Sequence, residues 1–125
     1  MLGRRTTDST DSSDESPGHF CGVVGIFGKD NIVPGTIRAL TVIQHRGQES
    51  AGIAFPDRDE RNRLRRKIGM GLVHEVFGKN RGKAESNVCI GHVRYSTTGK
   101  SQLENTQPFV VGTAKWDIAI AHNGD

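Results

Sequence analysis

The composition of the sequence changes abruptly after residue 20, and this change decides which part of the chain can fold. Residues 1–20 are rich in Ser, Thr and Asp, carry a net charge of −2 and contain few side chains to bury. Such a segment cannot offset the entropy lost on folding. We therefore predict a disordered leader over 1–20 and a folded unit over 21–125.

Apolar periodicity over 21–125 predicts one helix among several strands. The predicted strands cover 21–28, 52–55, 64–73, 88–93, 109–111 and 116–121. Pro34 suits the first turn of a helix, and Gly47 suits its end. The predicted buried face of that helix consists of Ile37, Leu40, Val42 and Ile43. A short helix is predicted around Phe77. One helix followed mostly by closely spaced strands indicates an α+β fold.

Composition also excludes several classes of protein. The apolar run CGVVGIFG is far shorter than the roughly 18 residues that a membrane helix needs, and no signal-peptide core follows the arginines of the leader. Two cysteines are too few for a disulfide framework. We therefore predict a cytoplasmic protein that has no membrane partner.

The net charge of 21–125 is +5, and five basic residues lie close together between two predicted turns. They are Arg61, Arg63, Arg65, Arg66 and Lys67. A nucleic-acid patch would favour stacking aromatic residues among the basic ones, and none is interleaved with this run. Charged side chains are common on the edge strand of a sheet, where they block further pairing. We predict a hairpin edge and no nucleic-acid partner.

Cys21 stands where the polar leader meets the first predicted strand. Cleavage between Phe20 and Cys21 would place an α-amine and a thiol on one residue. The ordinary pKa of an α-amine lies close to that of a thiol, so the amine can accept the thiol proton near neutral pH. This arrangement is typical of N-terminal nucleophile enzymes. A cysteine in a strand is more often a small core residue, and we predict that role for Cys89.

Three further motifs carry groups that suit an amide substrate. HRGQESAGIA contains Arg46 and Gly47, and GHVRYSTTG contains Arg94, whose planar fork suits a carboxylate. Asn123 and Gly124 offer an amide and a backbone N–H, the donors of an oxyanion hole. Each motif also has a plainer interpretation: a helix end, a surface arginine, or an Asn-Gly turn. The five histidines are too scattered to predict a metal site.

Together and in this order, the motifs resemble the class II glutamine amidotransferase domain. The strings are CGVVGI, HRGQESAGIA, GHVRYSTTG, ENTQPF and AHNGD, and they span nearly all of 21–125. Four residues and the string ENTQPF resemble the purine-biosynthesis branch rather than the amino-sugar branch of this family: Gln48, Glu49, Tyr95 and Thr98. One departure is Asp125, where the family commonly has Asn.

The resemblance implies an N-terminal nucleophile hydrolase fold, an αββα sandwich of antiparallel sheets, of which 21–125 would form the first half. It implies that Cys21 is a nucleophile exposed when the leader is removed. Arg94 would hold the α-carboxylate of L-glutamine. The other implied site residues are Arg46 and Gly47 beside the nucleophile, Tyr95 and Thr97 in the binding loop, and Asn123 and Gly124 as the oxyanion pair.

In that branch, ammonia from glutamine is passed to phosphoribosyl pyrophosphate, which gives 5-phosphoribosylamine. The resemblance implies that the acceptor domain lies outside this chain, as do Mg²⁺ and the cysteine ligands of the [4Fe–4S] cluster that some members carry. It also implies a homo-oligomer when full length, and an inactive fragment. Two alternatives stay open: another class II branch with an amino-sugar or glutamate-synthase acceptor, and a truncated interaction module.

Overall fold

A computed structural model of the chain describes residues 21–79, 84–95 and 102–124, and the predicted leader lies outside them. The strands are β1 (Gly22–Phe27), β2 (Ser50–Pro56), β3 (Leu64–Met70), β4 (Val88–Arg94), β5 (Phe109–Gly112) and β6 (Asp117–Ile120). The helices are α1 (Val33–Ile43) and α2 (Val73–Phe77), with 3₁₀ turns at Gln44–Arg46 and Leu103–Asn105. The predicted α+β class is confirmed.

Four strands form one antiparallel sheet in the order β1-β4-β2-β3, and β5 and β6 form a separate hairpin. Alternate residues point to opposite faces of a strand, so one face of the sheet packs on the helices. Buried residues of that face include Ala51, Ile53, Phe55, Cys89 and Val93, which join Val33, Ile37 and Leu40 of α1 in one core. The core role predicted for Cys89 is confirmed.

Helix α1 begins where the sequence predicts. The Asn31 side-chain oxygen accepts a hydrogen bond from the Val33 N–H at 3.2 Å, and Pro34 occupies the first turn. Val42 was predicted on the buried face but is 75% exposed. This prediction is wrong because Val42 lies five residues after Ile37, which places it about 140° around the helix from that residue.

The predicted strand over 64–73 is shorter than expected. It ends at Met70, because Gly71 has a φ of 105°, in the left-handed region that favours glycine, and Val73 already begins α2. No helix among the described residues is long and apolar enough to cross a bilayer.

The basic run lies on and beside β3, which is an edge strand, so the predicted hairpin edge is confirmed. Its arginines also hold neighbouring segments. Arg65 forms an ion pair with Asp57 at 2.8 Å, and this hydrogen bond is the main reason why the pKa of Asp57 falls to about 2. Arg63 pairs with Asp117 at 2.9 Å and so ties the start of β6 to β3.

Candidate active site

The register of the sheet brings several of the candidate residues to one end. Gly22 pairs with Val93, and Ser50 pairs with Arg94. Cys21 directly precedes β1 and therefore lies beside the carboxyl end of β4. It is only 8% exposed. The structure thus brings Cys21 and Arg94 together at the same end of the sheet, although they are far apart in the sequence.

Arg46 and Gly47 lie at this same end. The Arg46 Nε donates a hydrogen bond to the Cys21 carbonyl oxygen at 3.3 Å. A Cβ on Gly47 would lie 2.6 Å from the Arg94 carbonyl carbon, a backbone atom that cannot give way cheaply. Only glycine lets this segment lie directly against β4. The Arg46–Gly47 segment therefore contacts the backbone of both Cys21 and Arg94.

The Arg94 side chain has two contacts that the sequence did not predict. Its Nη1 donates to the Asn105 carbonyl oxygen at 2.8 Å, and its Nε lies 3.6 Å from the Glu49 Oε2. The second separation is an ion pair but not a hydrogen bond. The Glu49 N–H also donates to the Arg94 carbonyl oxygen at 3.0 Å. Arg94 is thus held at both its backbone and its side chain.

The remaining predicted binding-loop residues are only partly described. Tyr95 follows β4 directly and is 45% exposed. Thr97 lies outside the described residues, so its predicted role stays a prediction.

Residues Asn105–Pro108, called the strap here, cover the face of the sheet opposite the helices. Arg94 holds the Asn105 carbonyl oxygen, and Arg66 donates to the carbonyl oxygens of Thr106 and Pro108, the latter at 2.7 Å. A Cβ on Gly52 would clash with the Gln107 carbonyl oxygen. The strap therefore needs glycine at the centre of β2. It belongs to the string ENTQPF, for which the sequence indicated no structural role.

Asn123 and Gly124 follow β6, and both are exposed. The residue before them, His122, is fixed at both of its backbone polar groups. Its carbonyl oxygen lies 3.0 Å from the His92 Nε2, and its N–H donates to the Gln107 Oε1 at 2.7 Å. His92 lies two residues before Arg94 on β4, so the predicted oxyanion pair follows a residue anchored on the same sheet face as Arg94.

His92 is the residue that sequence reasoning missed. It is fully buried, and because a carbonyl oxygen can only accept, its Nε2 carries the proton and its Nδ1 does not. The Nδ1 has no hydrogen-bond partner within the described part of the chain. Burial away from water is the main cause that lowers the pKa of His92 to about 4. The sequence did carry a signal for His92. It lies two residues before Arg94 in GHVRYSTTG, so the alternation of side chains along a strand places both on the same face of β4.

The buried neutral state of His92 makes stability depend on pH. Its pKa is about 4 when folded, against 6.5 for the free side chain, so the unfolded chain binds more protons between these values. The contribution of neutral His92 to the free energy of unfolding is fully present above pH 6.5 and is lost as the pH falls towards 4. This contribution is at most about 3 kcal/mol. Thermal unfolding of the wild type and of His92→Gln should diverge across this window. Parallel pH profiles would refute this contribution.

The described residues do not fit a resident metal. No group of three or more His, Cys, Asp or Glu side chains within 21–79, 84–95 and 102–124 is arranged to hold an ion, and Cys21 and Cys89 are both free thiols. Burial raises the pKa of the Cys89 thiol to about 11. These residues therefore fit neither a magnesium site nor an iron–sulfur cluster.

Comparison with known proteins shows which class of protein the chain resembles. Residues 73–125 match the family described as glutamine amidotransferases class-II. Two solved structures share the fold. One is described as glutamine phosphoribosylpyrophosphate amidotransferase from B. subtilis complexed with ADP and GMP (TM-score 0.67, 37% identity, 79% of this chain and 21% of that chain). The other is described as the allosteric regulatory enzyme of purine biosynthesis (TM-score 0.66, 38% identity, 78% and 21%). The chain is therefore similar in sequence and in fold to class II glutamine amidotransferases.

Curated relatives show which members of this class the chain resembles. The chain is 52% identical over 113 residues to an amidophosphoribosyltransferase of Archaeoglobus fulgidus, which covers 85% of this chain and 23% of the relative. It is 45% identical over 116 residues to the chloroplastic amidophosphoribosyltransferase 2 of Arabidopsis thaliana. That alignment covers 92% of this chain and 20% of the relative. The chain thus spans about a fifth of the length of these relatives. The predicted resemblance to the purine-biosynthesis branch is confirmed.

Proposed function

We propose that this chain supplies the glutaminase part of an amidophosphoribosyltransferase. One observation carries the proposal: Cys21, the Arg46–Gly47 segment and Arg94 meet at one end of the sheet. The chain that brings them together is 45–52% identical to relatives with that name. In the full-length protein, the ammonia released here would displace pyrophosphate from phosphoribosyl pyrophosphate, at a site outside this chain, to give 5-phosphoribosylamine.

The proposed reaction begins after the leader is removed and Cys21 carries a free α-amine. The amine takes the thiol proton, and the thiolate attacks the carboxamide carbon of L-glutamine. Asn123 and Gly124 donate hydrogen bonds to the oxyanion that forms. The tetrahedral intermediate collapses to a thioester when the amide nitrogen takes a proton and leaves as ammonia. Water then attacks the thioester, which releases glutamate and restores the thiol.

We also propose that the full-length protein is a homo-oligomer in the cytoplasm. Two free thiols in the described residues suit a reducing compartment. The homo-oligomer rests on the family resemblance alone, as does any use of Mg²⁺ at the acceptor site outside this chain.

A substrate assay tests the proposed function. The full-length protein that carries this chain should form pyrophosphate and glutamate from L-glutamine only in the presence of phosphoribosyl pyrophosphate as the productive acceptor. Ammonium chloride should replace glutamine as the nitrogen donor. Product formation with fructose 6-phosphate in place of phosphoribosyl pyrophosphate would instead assign the chain to the amino-sugar branch.

Arg94 is the proposed anchor of the glutamine α-carboxylate, and Arg94→Lys tests this role. Lysine keeps the charge but loses the two-pronged fork, so we expect kcat/KM for glutamine to fall roughly 30-fold, about 2 kcal/mol, mainly through a higher KM. Ammonia-dependent synthesis should be unchanged. The control is Arg65→Lys, which alters an exposed arginine paired with Asp57. Because Arg94 also holds Asn105, an equal loss with ammonia would show that Arg94 is purely structural.

A further inference from the structure

We propose that His92 and Gln107 are positioning residues that hold the Asn123–Gly124 pair where an oxyanion would form, by fixing both backbone groups of His122. The inference rests on the proposed function, because it assigns these two residues to the same reaction. It also gives the string ENTQPF a role in the site, through Gln107. Neither residue touches the reacting atoms in this proposal.

The His92 contact is rigid at the sheet side. His92 is fully buried in β4, where it pairs with Val23 on one neighbouring strand and Gly52 on the other. Two ladder neighbours and complete burial leave the imidazole little freedom. Its Nε2 reaches the His122 carbonyl oxygen at 3.0 Å. His122 is thereby tied to the centre of the sheet rather than to a loop.

The Gln107 contact is rigid because the strap itself is held from three sides. Arg94 and Arg66 hold its carbonyl oxygens, and its Gln107 backbone lies directly on Gly52. Gln107 is 7% exposed, and its Oε1 accepts the His122 N–H at 2.7 Å. The Gln107 side-chain oxygen thus accepts the backbone N–H of His122, as a carbonyl oxygen of a neighbouring strand would within a sheet.

The position of these two contacts along the chain gives them their importance. Within the described residues, β6 pairs only with β5, and its own residues Ile118 and Ile120 are exposed. Asn123 and Gly124 are exposed as well. His122 is therefore the anchored residue closest to the pair. Because oxyanion donors act only when they are correctly placed, release of His122 should lower turnover rather than glutamine binding.

Four variants of the full-length protein test the inference, with L-glutamine and ammonium chloride as alternative nitrogen donors. His92→Asn shortens the side chain so that no donor reaches His122, whereas His92→Gln keeps an amide N–H near the position of the Nε2. Gln107→Leu removes the other contact without altering the sheet, and it keeps the test decisive if His92→Asn does not fold. His74→Asn is the matched control, since His74 is an exposed residue of α2.

The expected result for His92→Asn and Gln107→Leu is a fall of about 10²-fold in kcat for glutamine. KM and ammonia-dependent synthesis should be unchanged, His92→Gln should keep most of the turnover, and His74→Asn should match the wild type. Combined with Asn123→Ala, His92→Asn should cause little further loss, because both changes act through the same donor.

Losses that multiply in the double variant, or that appear equally with ammonia, would overturn the inference. Normal turnover of Asn123→Ala would overturn it too, because no pair would then need positioning. The proposed function is tested separately by Cys21→Ala: continued glutamine use by that variant refutes the function, whereas its loss together with a multiplicative His92–Asn123 cycle refutes only the positioning role.

Discussion

Cys21→Ala in the full-length protein is expected to abolish glutamine-dependent synthesis and leave ammonia-dependent synthesis intact. The substitution removes the only proposed nucleophile, and loss of a catalytic nucleophile costs roughly 10⁴-fold or more in turnover. It adds no volume at a residue that is already buried. The measurement is steady-state glutamate release with L-glutamine, run beside synthesis from ammonium chloride.

Cys89→Ala is the matched control for this experiment. Cys89 is also a buried free thiol, but it faces the helix-covered core. We expect Cys89→Ala to lower the unfolding temperature slightly and to affect both nitrogen donors alike. A selective loss of glutamine use in Cys89→Ala would show that Cys21 is not the nucleophile. Survival of glutamine use in Cys21→Ala would show the same.

Asn123→Ala is expected to lower glutaminase turnover by about 10²–10³-fold while the KM for glutamine changes little. The oxygen of the attacked carboxamide gains a negative charge only as the thiolate adds, so a donor aimed at that oxygen acts on the transition state more than on binding. Ammonia-dependent synthesis should be spared. Steady-state kinetics with both nitrogen donors measure each of these quantities.

The alternative for Asn123 is a structural turn, and a second substitution separates the two roles. A turn tolerates Asn123→Asp almost fully, because both residues suit the same backbone conformations. An oxyanion hole does not, since a carboxylate replaces a donor with a negative charge. Thermal unfolding controls for stability, and Asn87→Ala controls for loss of an exposed asparagine elsewhere. Near-normal turnover of Asn123→Ala would leave Asn123 as a turn residue.

Local patterns were sufficient to predict most of the secondary structure. The β-branched run before Gly28, Pro34 at the first turn of α1, and the charged edge strand all express preferences of a few neighbouring residues. At the end of β3, one residue outweighed the pattern. Gly71 adopts a positive φ and ends β3 three residues before Val73.

The assembly of the site required information that local patterns do not hold. β1 pairs with β4 rather than with β2, which follows it along the chain. That pairing brings Cys21 to Arg94, and no periodicity in the sequence specifies it. The same limit applies to the strap, whose position depends on Arg66 and Gly52 from two other strands. Combined motifs predicted which residues form the proposed site, but not that His92 and Gln107 contact the backbone of His122 beside it.

Covalent labelling with a glutamine-shaped diazoketone tests most directly whether Cys21 is the nucleophile of this protein. Its thiolate should displace dinitrogen from the reagent and form a stable thioether, and L-glutamine in excess should protect against labelling. After digestion, mass spectrometry should find the adduct on a peptide that begins at Cys21, with residues 1–20 absent. An adduct on Cys89, or a fully active protein that still carries Phe20 attached to Cys21, would contradict the account.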